Sequence, residues 1–126
     1  MTTEGHCNCK SVTVKVPALK ESIVCYCSNC RRAGASLCSL NYLLDSSEVD
    51  ISDPNGTIRS YSDSNTRSGN TIIRKFCGTC GSPVATFTPD SPKVFVKAGL
   101  FDYLAPPVME VFEESKAPWA HVTKKE

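Results

Sequence analysis

Apolar and polar residues alternate with a period of two along much of this chain, the pattern of half-buried strands rather than of amphipathic helices. The clearest case is Ser11-Val12-Thr13-Val14-Lys15-Val16, and Pro17 stops it. Ser22 to Cys27 reads as a second strand. Further strands are predicted over Leu37 to Leu43, Thr57 to Tyr61, Thr71 to Phe76, Val84 to Phe87, Lys93 to Lys97 and Val108 to Phe112. Asp53-Pro54-Asn55-Gly56 marks a turn, and Ser62 to Asn70 is a polar loop. One short helical turn is predicted where Ser28 can cap Asn29, Cys30, Arg31 and Arg32, with Gly34 ending it. The predicted fold class is mainly β.

At 126 residues and 40% hydrophobic content, the chain predicts a single domain, residues 1–126, with a core that a structural metal would help to stabilise. A formal net charge of +1 gives no broad electrostatic footprint for nucleic acid or an acidic membrane. No apolar run approaches the roughly 18 residues of a spanning helix. The expected partner is a small molecule, with neither nucleic acid nor membrane.

Cysteine changes the picture. Seven of the eight fall into three close groups: Cys7-x-Cys9, Cys25-x-Cys27-x-x-Cys30, and Cys77-x-x-Cys80 followed by Gly81. Thiolates at such spacings converge on one soft cation, most often tetrahedral zinc. A structural zinc closes its shell with four protein ligands, whereas three leave a position for water or substrate. Seven thus divides into one closed site and one open site. Disulfides are the competing reading, but Met1-Thr2-Thr3-Glu4-Gly5 has no basic segment or apolar run of a secretory signal. The expected setting is reducing and cytoplasmic, where clustered cysteines are more often metal ligands.

If Cys7 to Cys9 is extended like the strand through Cys25 and Cys27, each Cys-x-Cys pair points to one face and grips one metal. The helical turn would swing Cys30 back to the metal of Cys25 and Cys27. In Cys77-Gly78-Thr79-Cys80-Gly81 the glycines let the backbone turn so that amides face the sulfurs. Spacing alone leaves open whether that knuckle shares its metal with the first group or with two thiols of the second.

Other side chains have two readings. Arg31 and Arg32 would sit beside the open metal and could bind a substrate carboxylate, or simply form a solvated turn. Tyr26, alternate to the two thiols, reads as packing rather than as a proton donor. Cys38 reads as a small core residue of a strand, and His6 and His121 as non-ligands, His121 at the surface. Trp119 is expected to anchor the terminal segment, with cover for a substrate pocket as the sharper alternative.

The order Gly5-x-Cys7-x-Cys9, Cys25-x-Cys27-x-x-Cys30-Arg31, Phe76-Cys77-x-x-Cys80-Gly81-Ser82-Pro83, Ala98-Gly99-Leu100-Phe101-Asp102 and Ala117-Pro118-Trp119 resembles the glutathione-dependent formaldehyde-activating enzyme family, also called the CENP-V/GFA family. The resemblance runs from about residue 5 to 119. It implies a β-tent of short antiparallel sheets, similar to zinc-binding Rab-exchange chaperones. It further implies that Cys7, Cys9, Cys77 and Cys80 hold a structural zinc and Cys25, Cys27 and Cys30 a catalytic one. The implied activity is that of a zinc-dependent carbon-sulfur lyase joining glutathione to formaldehyde, or acting on a related thiol adduct. A non-enzymatic protein-interaction module is the alternative that chromosome-associated relatives suggest. The chain departs from the family pattern at Lys10, commonly Gly, at Tyr26, commonly His, and at Glu110-Val111-Phe112, where a His-Ile-Trp-like segment is common. These departures leave room for a substrate larger than the formaldehyde adduct.

Overall fold

The computed structural model describes residues 1–126. Ten strands follow in chain order: β1 Thr2–His6, β2 Thr13–Pro17, β3 Ser22–Cys25, β4 Ser39–Asp45, β5 Asp50–Ser52, β6 Ile58–Asp63, β7 Ile72–Cys77, β8 Pro83–Phe87, β9 Lys93–Lys97 and β10 Pro107–Val111. One helix, α1, spans Ser28–Gly34 between β3 and β4. The strands form a small sheet, β1-β2-β5, and a large one, β10-β3-β4-β9-β8-β7-β6. All pairings are antiparallel except β10 with β3, which is parallel. The sheets are thus mainly antiparallel, as expected, with one parallel pairing at the edge of the large sheet.

The core lies between the sheets. Val12, Val14 and Val16 reach it from the β2 side, and Tyr42, Leu44, Val84, Val94 and Val96 from the large sheet. Each fully buried valine contributes on the order of 2 kcal/mol by leaving water. Tyr42 meets Phe101 edge to face at 5.7 Å, and its hydroxyl accepts the Ala105 amide at 3.0 Å. Cys7 and Cys77 belong to the same buried cluster, so one cysteine group is part of the core.

Strand alternation gives the large sheet a second, functional face. Asn41 lies opposite Ile23 in β3 and Lys97 in β9, while Cys25 lies opposite Ser39. Ile23, Cys25, Ser39, Asn41 and Lys97 thus share one face, and their neighbours Tyr42 and Val96 turn inward to the core.

Three local expectations need correction. Cys7 to Cys9 is a turn after β1, not an extended segment, because the amide of Lys10 bonds the carbonyl of Cys7 at 3.0 Å. The cap of α1 is Cys27, whose sulfur accepts the Cys30 amide at 3.3 Å, and the helix ends in left-handed Ala35. Cys38 lies half-buried just before β4 rather than within a strand of the core.

Lys10 takes φ 69°, a left-handed conformation that costs a residue with a Cβ. Replacing it with glycine is expected to raise unfolding stability by about 0.5–1 kcal/mol, seen as a higher urea midpoint at unchanged slope.

Candidate active site

The four thiols of Cys7, Cys9, Cys77 and Cys80 come together with all sulfurs within 4.8 Å of one another, and so do the three of Cys25, Cys27 and Cys30. In the first group, Cys9 Sγ lies 3.7 Å from both Cys7 Sγ and Cys77 Sγ. A disulfide needs about 2.05 Å. Zinc-sulfur bonds of about 2.3 Å in a tetrahedron place neighbouring sulfurs about 3.8 Å apart, so the donor set fits a tetrahedral thiolate-binding cation.

The surrounding backbone is built for anionic sulfur. The Val12 amide donates to Cys7 Sγ at 3.3 Å, and Ser11 and Ser82 hydroxyls lie 3.2 Å from Cys9 and Cys80. Hydrogen bonds from the Ser82 hydroxyl and backbone pull Cys80 down to about 5. Gly81, at φ 80°, turns the knuckle so that its amide bonds the Cys77 carbonyl at 2.8 Å. Gly78 lies so close to the backbone just before β6 that a Cβ there would sit 2.7 Å from the Thr57 carbonyl oxygen.

The three-cysteine group sits on the other face of the large sheet and lines a cavity of about 260 Å³. Cys25 ends β3, Cys27 caps α1 and Cys30 lies in its first turn. The helix is fixed from outside: the Asn29 amide donates to both Asp63 carboxylate oxygens at 3.1 Å, and Arg74 Nε donates to the same carboxylate at 2.8 Å. Burial would raise the Asp63 pKa, but the bonds from Arg74 and Asn29 prevail and hold it below the usual carboxylate range. Cys30 is pulled down to about 5 by the hydrogen bond from Cys25, against its burial, helped by Cys27 and by the charges of Lys97 and Arg74. Cys25 is correspondingly raised by its bond to Cys30 and by burial.

Ile23, Ile72, Phe95, Val111 and Phe112 supply the apolar wall of the cavity. Arg67 closes it from the polar loop: the guanidinium pairs with Glu114, donates to Ser115 Oγ at 3.1 Å and lies 5.7 Å over the Phe112 ring. The lining also includes Asn41 of β4, Arg74 of β7 and Thr86 of β8.

Most of the chain matches one family model. Residues 2–115 fit the model of the glutathione-dependent formaldehyde-activating enzyme. The chain belongs to that family. No curated protein matches it in sequence. Among solved structures, the formaldehyde-activating family chain resembles a crystal structure of a Rhodobacter sphaeroides protein with a TM-score of 0.64 and 22% identity, covering 86% of this chain and 99% of the other. That likeness concerns the fold.

Other sequence candidates lie elsewhere in this family member. Arg31 and Arg32 sit on α1 outside the lining of the three-cysteine cavity, whose guanidinium groups come from Arg67 and Arg74. Arg32 instead borders a separate cleft with Tyr61 and Asn65. Sequence reasoning missed Arg67, Arg74, Asn41 and Lys97: Arg74, Asn41 and Lys97 converge through strand register, and Arg67 comes from the loop between β6 and β7. Tyr26 is buried, and its hydroxyl donates to Glu110 at 2.5 Å. Tyr26 and Glu110 thus pair with each other where family members commonly carry histidine. His6 donates from Nδ1 to the Cys7 carbonyl at 2.8 Å, and His121 is exposed. Trp119 is 71% exposed, so it neither anchors the terminus nor lines the cavity. No helix is long and apolar enough to cross a membrane.

Proposed function

We propose that this protein is a zinc-dependent carbon-sulfur lyase that makes or breaks the adduct between a thiol, glutathione or a relative, and an aldehyde. The observation that carries the reading is the placement of the three sulfurs of Cys25, Cys27 and Cys30 in the wall of a cavity, on the sheet face opposite the core that contains Cys7 and Cys77. Cys7, Cys9, Cys77 and Cys80 would hold a structural zinc, and Cys25, Cys27 and Cys30 a second one with a free position. Bound there, zinc supplies Lewis acidity that lowers the pKa of a thiol and keeps thiolate available near neutrality.

The chain's own residues do the remainder. In adduct formation the thiol loses its proton, its sulfur bonds the carbonyl carbon, and the oxygen gains a proton; cleavage reverses each step. The apolar wall holds the carbon skeleton, and Arg67 borders the cavity through its contacts with Phe112 and Glu114. Lys97 and Arg74 place positive charge beside the three sulfurs and offset their negative charge. Bringing two reactants into one cavity favours the bimolecular step by orientation. A non-enzymatic docking module has no use for a small-molecule-sized cavity lined by a cysteine cluster.

The test is elemental analysis of anaerobically purified protein, with NMR exchange spectroscopy of glutathione and formaldehyde in its presence. Two zincs per chain and protein-dependent acceleration of exchange are expected. Two zincs with no acceleration for glutathione or for a panel of smaller thiols and larger aldehydes would overturn the enzymatic reading.

A further inference from the structure

We propose that Asn41 is the residue that receives the reacting oxygen, with Ser39 and Lys97 as positioning residues that aim its side-chain amide into the cavity. The inference rests on the lyase reading above and assigns a donor that cysteine chemistry leaves unspecified.

The direction of the amide follows from donors and acceptors. Lys97 Nζ, an ammonium with donors only, donates to Ser39 Oγ at 2.6 Å. The single hydroxyl proton of Ser39 is then given onward, to Asn41 Oδ1 at 3.0 Å. With its oxygen held by Ser39, Asn41 must present Nδ2 away from that contact. Nδ2 makes only a long contact, 3.5 Å, to the Ser39 carbonyl, so it retains an N–H for a ligand. Asn41 is 5% and Ser39 6% exposed, and Asn41 lines the same cavity as Cys25, Cys27 and Cys30. The buried amide is fixed on its acceptor side and uses at most one of its two N–H groups, weakly, so donor capacity remains that packing does not use.

Lys97 completes the arrangement. It forms none of the ion pairs in the structure, whereas Arg67 and Arg74 are each paired with a carboxylate. Its charge is therefore directed to Ser39 and to the thiol site. The Asn41 N–H would stabilise negative charge as it develops on the aldehyde oxygen when the sulfur bonds the carbon. In the reverse direction it would bind the hydroxyl whose loss of a proton accompanies carbon-sulfur cleavage. A donor that acts on developing charge lowers the barrier more than it tightens ground-state binding.

The experiment measures kcat and KM for glutathione with formaldehyde, zinc content, and calorimetric binding of S-ethylglutathione, which has a methyl group where the adduct carries its hydroxyl. Asn41→Leu is expected to lower kcat about 100-fold while KM, zinc content and S-ethylglutathione affinity stay within about twofold. Asn41→Asp, nearly the same shape but without the N–H, is expected to lose kcat likewise. It serves where the leucine variant does not fold. Lys97→Met should lower kcat about tenfold with KM unchanged, and Lys97→Arg should restore most of it. Variants at Asn41 that keep kcat within about threefold, or that lose S-ethylglutathione binding in proportion to kcat, would overturn the assignment and leave the lyase reading standing. A wild-type protein that turns over no thiol adduct would instead remove the lyase reading and this inference with it.

Discussion

Replacing Cys77 with serine is expected to leave the chain with no cooperative thermal unfolding transition. Cys77 is fully buried, its sulfur lies 3.7 Å from that of Cys9, and it packs in the same cluster as Val14, Val84 and Val96. Structural zinc in thiolate sites binds with an apparent free energy of about 10–16 kcal/mol near pH 7. A domain of this size is stable by only about 5–15 kcal/mol in all, so loss of that site removes an amount comparable to the whole. Serine also leaves a hydroxyl in a region arranged for an anionic sulfur, where the Thr57 hydroxyl lies 3.6 Å from Cys77 Sγ. Circular dichroism on heating, with zinc measured on the same sample, reads the outcome. A serine variant that melts cooperatively within a few degrees of the parent would show that the four-cysteine cluster does not hold the fold.

The contrast between the two cysteine clusters explains what was readable in the chain. Lys93–Lys97 was legible with both ends, since Val94 and Val96 alternate with polar or outward residues and Pro92 and Ala98 bound it. β2, β3, β4, β6, β7, β8 and β10 were legible to within two residues at each end for the same reason. β1 was missed because Thr2-Thr3-Glu4-Gly5-His6 has no apolar alternation, and only pairing with β2 makes it a strand. The parallel pairing of β10 with β3 joins residues over eighty positions apart, and period-two alternation is blind to strand direction.

The same distinction holds for the site. Cysteines announce themselves, because a metal-binding turn needs its ligands close in sequence. Arg31 and Arg32 lie off the cavity lining for the converse reason: adjacency to Cys30 says nothing about direction when each helical step turns a side chain by about 100°. Asn41, Lys97 and Arg74 converge only because β4, β9, β8 and β7 pair in one register, so each looks like an ordinary strand residue in isolation. Their polarity on an alternating strand was the available signal. A buried asparagine between Leu40 and Tyr42 is at odds with a purely structural strand.

Replacing Cys30 with serine should give the opposite phenotype to the change at Cys77. Zinc is expected to fall from two per chain to one, exchange between thiol and aldehyde to fall at least about 1,000-fold, and the thermal midpoint to move by no more than a few degrees. The fold should survive because Cys30 lies outside the core cluster, and α1 keeps its tie through Asn29 to Asp63 and on to Arg74. Two sulfurs make a poor zinc site, so the second metal is lost even though Cys25 and Cys27 remain. The expected rate effect is that of removing the group that generates the thiolate, as other nucleophile knock-outs show losses of comparable size. The pair of variants separates roles that a single measurement would merge. Should Cys30→Ser lose both zincs and unfold with Cys77→Ser, the cavity cluster is structural and the open-site reading fails. Should it keep full exchange activity with one zinc, the chemistry belongs to the cavity's polar residues and not to a metal held by its cysteines.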